Sequence, residues 1–253
     1  MQGQFKYEAK GGELFCLFFK NFLLIMITLG IYYPWAFVNI RKFFCDKVTL
    51  DGKKFEFTGD GGELFSLFFV QGLLSMITLG IYIPWAVVKV QKYVMSKTLL
   101  DGKAFDFTAQ GGEYFSLLFI NGLLTMITVG IYGAWAFVKI QAFMCEKTVY
   151  DAASFKFAAT GGEVFCLFFV QILLTMITLG IYFPWAKVKI MQYMYEKTSW
   201  NTNVFRFSGN GGEMFSIYLK GMILTSVTLG IYYAWFKNEV YTYIADKSSV
   251  NPA

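Results

Sequence analysis

The sequence predicts a mainly α integral membrane protein with small β-hairpins, built from five tandem 50-residue repeats closed into a pseudo-fivefold ring of about ten membrane helices. Three observations predict it. First, GGELF at Gly11 and Gly61, GGEYF at Gly111, GGEVF at Gly161 and GGEMF at Gly211 are each followed at constant spacing by LGIY or VGIY and a tryptophan (Trp35, Trp85, Trp135, Trp185, Trp235). Such fixed-period self-similarity marks a repeat architecture. Second, 56% of the 253 residues are hydrophobic and 20% aromatic but only 15% charged, where soluble domains carry about 25% charged residues. Third, the runs Leu64 to Leu79, Tyr114 to Val129 and Val164 to Leu179 contain no charge, and Leu14 to Leu29 contains only Lys20. With their flanks these runs lie near the lower limit of roughly 17 residues for a spanning helix. The alternative, a very apolar soluble solenoid, would have to bury 29 Phe and 16 Tyr with few charges left to cover the surface.

The elements follow in order. The opening MQGQFKYEAK is polar and strand-like, so no cleavable signal peptide is expected. Gly-Gly-Glu opens a first helix, A, with Glu13, Glu63, Glu113, Glu163 and Glu213 in its first turn, where a carboxylate meets the positive end of the helix dipole. These glutamates read as caps. Helix A stops at Gly30, Gly80, Gly130, Gly180 and Gly230, which suit the left-handed residue after a helix end. Helix B restarts around Pro34, Pro84 and Pro184, with Ala134 and Ala234 in the other repeats, and runs to Lys47, Lys97, Lys147, Lys197 and Lys247. A hairpin follows, signalled by Asp51-Gly52 and Asp101-Gly102. Its outgoing strand alternates aromatic and charged residues, as in Phe55-Glu56-Phe57 and Phe205-Arg206-Phe207. The turns at Tyr150 to Ser154 and Trp200 to Val204 lack the Asp-Gly pair, leaving their type open.

The chain reads as a single membrane domain, residues 1–253, with repeats at about 5–54, 55–104, 105–154, 155–204 and 205–250. Gln4 to Tyr7 resemble an outgoing strand without an incoming partner, and Lys247 to Val250 the reverse, so the N-terminal strand is expected to pair with the C-terminal one. An open superhelical stack, the competing arrangement, would show atypical capping repeats at its ends. If helix A crosses a bilayer, helix B must cross back to keep every hairpin on one side. The connections after helix A carry no Lys or Arg and the hairpins carry most of them, which places hairpins and termini in the cytoplasm and an aromatic belt on the far side. Lys89, Lys139 and Lys189 complicate crossing, since they follow the Trp residues by about one turn and must snorkel or line a polar cavity. They are candidate lipid or anion contacts. An amphipathic helix B lying in the interface is the other arrangement.

Helix A also carries a polar stripe: Asn21 and Thr28; Gln71, Ser75 and Thr78; Asn121, Thr125 and Thr128; Gln171, Thr175 and Thr178; Thr225 and Thr228. Such residues either hydrogen-bond between helices or converge to line a pore. The absence of histidine removes any histidine base, metal ligand or triad. Cys16, Cys45, Cys145 and Cys166 show no CxxC spacing, and no phosphate-binding loop occurs, so no cofactor or metal is expected. The net charge of +5 sits near the membrane and suits anionic lipid headgroups rather than nucleic acid.

Taken together, GGELF, the apolar run ending ITLGIYYPW, the basic helix and TLDGKKFEFTG resemble the YjgN-like family of bacterial inner-membrane proteins of unknown function. The resemblance covers about Phe5 to Lys247, and the third and fifth repeats depart from it by losing the Pro before Trp. It implies a bacterial inner-membrane location and carries over no activity. The expected role is a non-enzymatic multi-pass membrane scaffold or accessory subunit that docks other membrane subunits or lipids. The alternative is a channel or transporter lined by the helix A amides and hydroxyls and the helix B lysines. Whether aromatics plug the axis separates the two.

Overall fold

The computed structural model describes residues 2–252; Met1 and Ala253 of the expected domain lie outside the described residues. Strand β1 (Gly3–Tyr7) precedes five copies of one unit. The first copy comprises α1 (Gly11–Ile27), α2 (Tyr33–Lys47), β2 (Val48–Leu50) and β3 (Lys53–Phe57), and the second α3 (Gly61–Ile77), α4 (Ile83–Ser96), β4 (Thr98–Leu100) and β5 (Lys103–Phe107). The third comprises α5 (Gly111–Ile127), α6 (Gly133–Lys147), β6 (Thr148–Tyr150) and β7 (Ala153–Phe157), and the fourth α7 (Gly161–Ile177), α8 (Phe183–Glu196), β8 (Thr198–Trp200) and β9 (Asn203–Phe207). The fifth ends the chain with α9 (Gly211–Val227), α10 (Tyr233–Asp246) and β10 (Ser248–Pro252).

All ten strands join in one closed antiparallel barrel, in the order β1-β10-β9-β8-β7-β6-β5-β4-β3-β2. Adjacent repeats pair over three residues (Phe55↔Leu100, Glu56↔Leu99, Phe57↔Thr98), whereas the hairpin within a repeat pairs over two (Thr49↔Lys54, Leu50↔Lys53). The hairpins are therefore not five separate caps, because isolated ones would leave ten raw strand edges. Strand β1 closes the barrel by pairing with both β10 (Gly3↔Val250) and β2 (Phe5↔Leu50). The Asp51-Gly52 turn has positive φ at both residues, and Asp151-Ala152 adopts the same left-handed pair without a glycine.

Strict alternation decides what fills the barrel. Leu50, Leu100, Tyr150, Trp200 and Val250 from the incoming strands meet Phe5, Phe55, Phe105, Phe155 and Phe205 from the outgoing ones in a single core. Glu56, Asp106 and Arg206, one residue out of phase, are solvent-exposed. Trp200 Nε1 donates to Tyr150 O at 3.2 Å and the Tyr150 hydroxyl to Leu100 O at 3.0 Å, so the polar atoms in this plug are satisfied. The axis is closed by side chains.

The expectation of about ten membrane helices is overturned: among the described residues no helix is long and apolar enough to cross a membrane. Helix A has 17 residues, about 25 Å at 1.5 Å per residue against a hydrocarbon core of about 30 Å. Its first turn is committed to a charged glutamate. The helix B elements are shorter still, at 14 or 15 residues. Strands of three to five residues also fall below the roughly 9–11 a spanning strand needs. Instead, each helix B packs on the helix A of the following repeat, and α10 packs on α1 to close the ring. The tryptophans serve this contact: Trp35 stacks on Phe65 at 5.3 Å and lies over Gly61, where a Cβ would come within 2.2 Å of the indole. They do not form the expected belt on a far face.

Candidate functional site

The structure separates the polar stripe into two sets. Thr28, Thr78, Thr128, Thr178 and Thr228 staple the turn after helix A. Each hydroxyl donates to the carbonyl four residues back at 2.7–2.8 Å and accepts the amide of Tyr32, Tyr82, Tyr132, Tyr182 or Tyr232 at 2.9–3.1 Å. In the second and fourth repeats the remaining members face the groove between the two helices of that repeat. Gln71 and Ser75 line such a groove with Phe68 and Ile83, and Gln171 and Thr175 line another of about 440 Å³. Thr125 and Thr175 donate to Asn121 O and Gln171 O, within their own helix. Asn21 and Asn121 likewise donate to Leu17 O and Leu117 O, and Asn39 Nδ2 reaches Asn21 Oδ1 at 3.3 Å from the second helix. The amide oxygens of Gln71, Asn121 and Gln171 and the Thr225 hydroxyl are buried without a partner, although buried polar atoms are ordinarily satisfied.

Lys89, Lys139 and Lys189 lie away from that groove. Lys89 and Lys139 donate to the Tyr82 and Tyr132 hydroxyls at 2.9 and 2.8 Å, and Lys189 sits 5.8 Å from the Tyr182 ring centre. All three are exposed. In the first and fifth repeats Asn39 and Glu239 take the same place, Asn39 on Tyr32 and Glu239 on Lys220 at 2.6 Å.

A spacing of 34 residues conceals the second role of the glutamates. Lys47, Lys97, Lys147, Lys197 and Lys247 reach Glu13, Glu63, Glu113, Glu163 and Glu213 at 2.9–3.4 Å, tying the end of helix B to the start of helix A. The Tyr193 phenol, the Thr160 amide and Lys197 bring the Glu163 carboxyl down to about 2. Lys47 likewise lowers Glu13, followed by the Lys10 amide.

The turn between the helices holds what sequence reasoning missed. Gly30 N donates to Ile25 O at 2.8 Å and Leu29 N to Met26 O at 3.2 Å, the two bonds of a Schellman motif. Gly30 is left-handed as expected (φ 91°), but the left-handed stretch begins one place earlier, at Leu29 (φ 51°), with Leu79, Val129, Leu179 and Leu229 in the other repeats. An L-residue there costs about 1–2 kcal/mol. These side chains are nonetheless 92–94% exposed. Around them Phe19, Leu23, Met26, Ile27 and Ile31, and their equivalents, form an exposed apolar crown. From Phe19 to Ile27 the crown is about 12 Å deep at 1.5 Å per residue, close to one leaflet's half of a roughly 30 Å hydrocarbon core. The Leu-Gly or Val-Gly pair repeated at the end of each helix A was the available signal.

Comparison with known proteins agrees with the repeat plan. The family model described as "Bacterial protein of unknown function (DUF898)" matches five times, at residues 2–65, 53–113, 103–166, 152–211 and 202–251. A 49-residue stretch is 45% identical to a protein named "Inner membrane protein YjgN" from Salmonella typhimurium (strain LT2), which is 19% of this chain and 12% of that relative. The match thus spans about an eighth of the relative's length. No solved structure matches. With five consecutive matches covering nearly every residue, the chain belongs to the DUF898 family of bacterial proteins.

Proposed function

We propose that this protein is a non-catalytic, monotopic scaffold of the bacterial inner membrane: the five helical-hairpin tips enter one leaflet, and the barrel and termini stand in the cytoplasm. In that position the crown docks lipids and the sides of other membrane subunits. The observation that carries this reading is the set of five left-handed, almost fully exposed apolar residues, Leu29, Leu79, Val129, Leu179 and Leu229. Backbone strain kept at five exposed sites, where glycine would relieve it, points to a contact the side chains make elsewhere. Lys89, Lys139 and Lys189 lie two turns back from the tips, at the level of anionic headgroups. The name of the inner-membrane relative supports the location. The side-chain plug in the barrel weighs against transport along the axis.

Vesicle flotation tests it. The wild-type chain should float with neutral phosphatidylcholine vesicles. A variant with asparagine at all five left-handed positions should bind at least a hundredfold more weakly, because each buried leucine contributes about 1.5 kcal/mol or more. Asparagine tolerates the left-handed backbone, so circular dichroism should stay unchanged. Undiminished flotation of that folded variant would refute insertion by the tips.

A further inference from the structure

The second helices differ at one place on a shared face. Phe37, Val87 and Phe137 of the first three repeats are replaced by Lys187 and Lys237 in the last two. Residues four, seven and eleven further along occupy the same face of a helix. On α10 and α2 these include Tyr241, Ile244 and Phe44, which with Ser248 and Val48 at the start of β10 and β2 and with Tyr195 of α8 line one cavity of about 360 Å³ beneath the barrel. The second helices of the fifth and first repeats thus turn this face to a common space that Tyr195 of α8 also borders, and Lys237 continues the face towards the tips.

Neither lysine has a carboxylate within ion-pair distance among the described residues. Lys187 Nζ donates to the Tyr218 hydroxyl at 2.9 Å, and Lys237 Nζ lies 5.3 Å from the Tyr233 ring centre. Burial, and then the nearby Lys237 ammonium, lowers the Lys187 pKa. Two partly buried cations without a counter-ion are costly unless an anion is supplied. Lys187 is also one wall of the 440 Å³ groove, whose other walls include Ile172, Met176 and Phe183 leading to the tip. At its inner end Gln171 lines the groove, and its amide oxygen is buried without a hydrogen-bond partner.

We propose that the fourth and fifth hairpins hold one anionic phospholipid with a hydroxylated headgroup: Lys187 and Lys237 bind its phosphate, Gln171 accepts from a headgroup hydroxyl, and the groove takes an acyl chain. This rests on the membrane-inserted reading, which supplies the lipid and points its chain to the tip. Charge complementarity selects an anion, and the buried acceptor selects a hydroxyl-bearing one.

The test uses the full chain in a neutral maltoside detergent, titrated with phosphatidylglycerol or phosphatidylcholine, with retained lipid counted by native mass spectrometry. One phosphatidylglycerol should be retained per chain, and phosphatidylcholine should not. In the Lys187→Val, Lys237→Val variant, which copies Val87, retention should fall about 30-fold, the effect of two lysines near an anionic headgroup. Glutamine at Lys6 and Lys54, exposed on the barrel strands β1 and β3, should leave it intact. Equal retention of both lipids, or unchanged retention in the double variant, would overturn the proposal. So would competition by soluble glycerol 3-phosphate, which would indicate a free anionic metabolite. Flotation of the double variant should match wild type; failure of wild type to float would count against insertion and not against the lysine site.

Discussion

Gly61 and Trp35 show how a single residue type is dictated by a neighbour in the preceding repeat, 26 residues back (61 − 35). The first glycine of each GGE motif lies under the indole of the preceding repeat, with the space for a Cβ closed to 2.1–2.3 Å at Gly11, Gly111, Gly161, Gly61 and Gly211. The second glycine meets no such ring at Gly12 or Gly112. Gly61→Ala should therefore destabilise the protein by about 1–3 kcal/mol, the usual cost of overpacking, while Gly12→Ala should cost less than half of that. Thermal unfolding of the two variants in one detergent checks the contrast, and equal midpoints would place the tryptophan elsewhere. The sequence shows that the motif and the tryptophan recur together, and only packing reveals that one needs the other.

At the scale of the element, the helical hairpin is bound at both ends by different chemistry. Its tip relies on the threonine hydroxyl and the left-handed leucine, and its base on the glutamate–lysine pair. The base supplies a pH dependence. Glu163 falls from an ordinary 4.5 to about 2 in the folded chain. A carboxylate with a depressed folded value stabilises fully above its unfolded value and loses that contribution as pH falls through the folded one. The wild-type melting temperature should therefore decline between pH 4.5 and about 2, and the gap between wild type and Glu163→Gln should close over that window. A constant gap would mean that Tyr193 and Lys197 do not hold the ionised carboxyl. Helix ends, caps and the aromatic alternation of the outgoing strands are legible in sequence because they are local. The lysine partner is not, because its 34-residue separation matches no helical or strand period.

For the whole molecule, closure depends on one short strand. Strand β1 contributes Phe5 to the plug and pairs on both sides, so deleting residues 1–9 should leave two open edges and a gap in the core. The truncated protein should unfold at a lower temperature and over a broader range than wild type; an unchanged, sharp transition in the same detergent would show that the barrel does not need it. The proposed monotopic insertion makes a prediction about sidedness. In a cysteine-free background, cysteine at Lys53 should react with an impermeant maleimide in inside-out vesicles, and cysteine at Leu179 should react from neither face. Labelling of Leu179→Cys from the periplasm would instead require the hairpins to cross.

The five-unit plan, the order of helices and strands and the apolar character of the turns are set by the sequence itself, because period, capping residues and alternation act over a few positions. The short reach of the helices and the joining of all the hairpins into one barrel were decided only by tertiary structure. A run of apolar residues such as Leu64 to Leu79 reads the same whether it crosses a bilayer or dips into one leaflet. In the folded chain part of each run packs against the neighbouring repeat, leaving about 12 Å of apolar surface at the tip. The strands Val48–Leu50 and Lys53–Phe57 likewise read as an isolated hairpin. Their longer pairing is with the adjacent repeats, and only the closed ring brings those edges together.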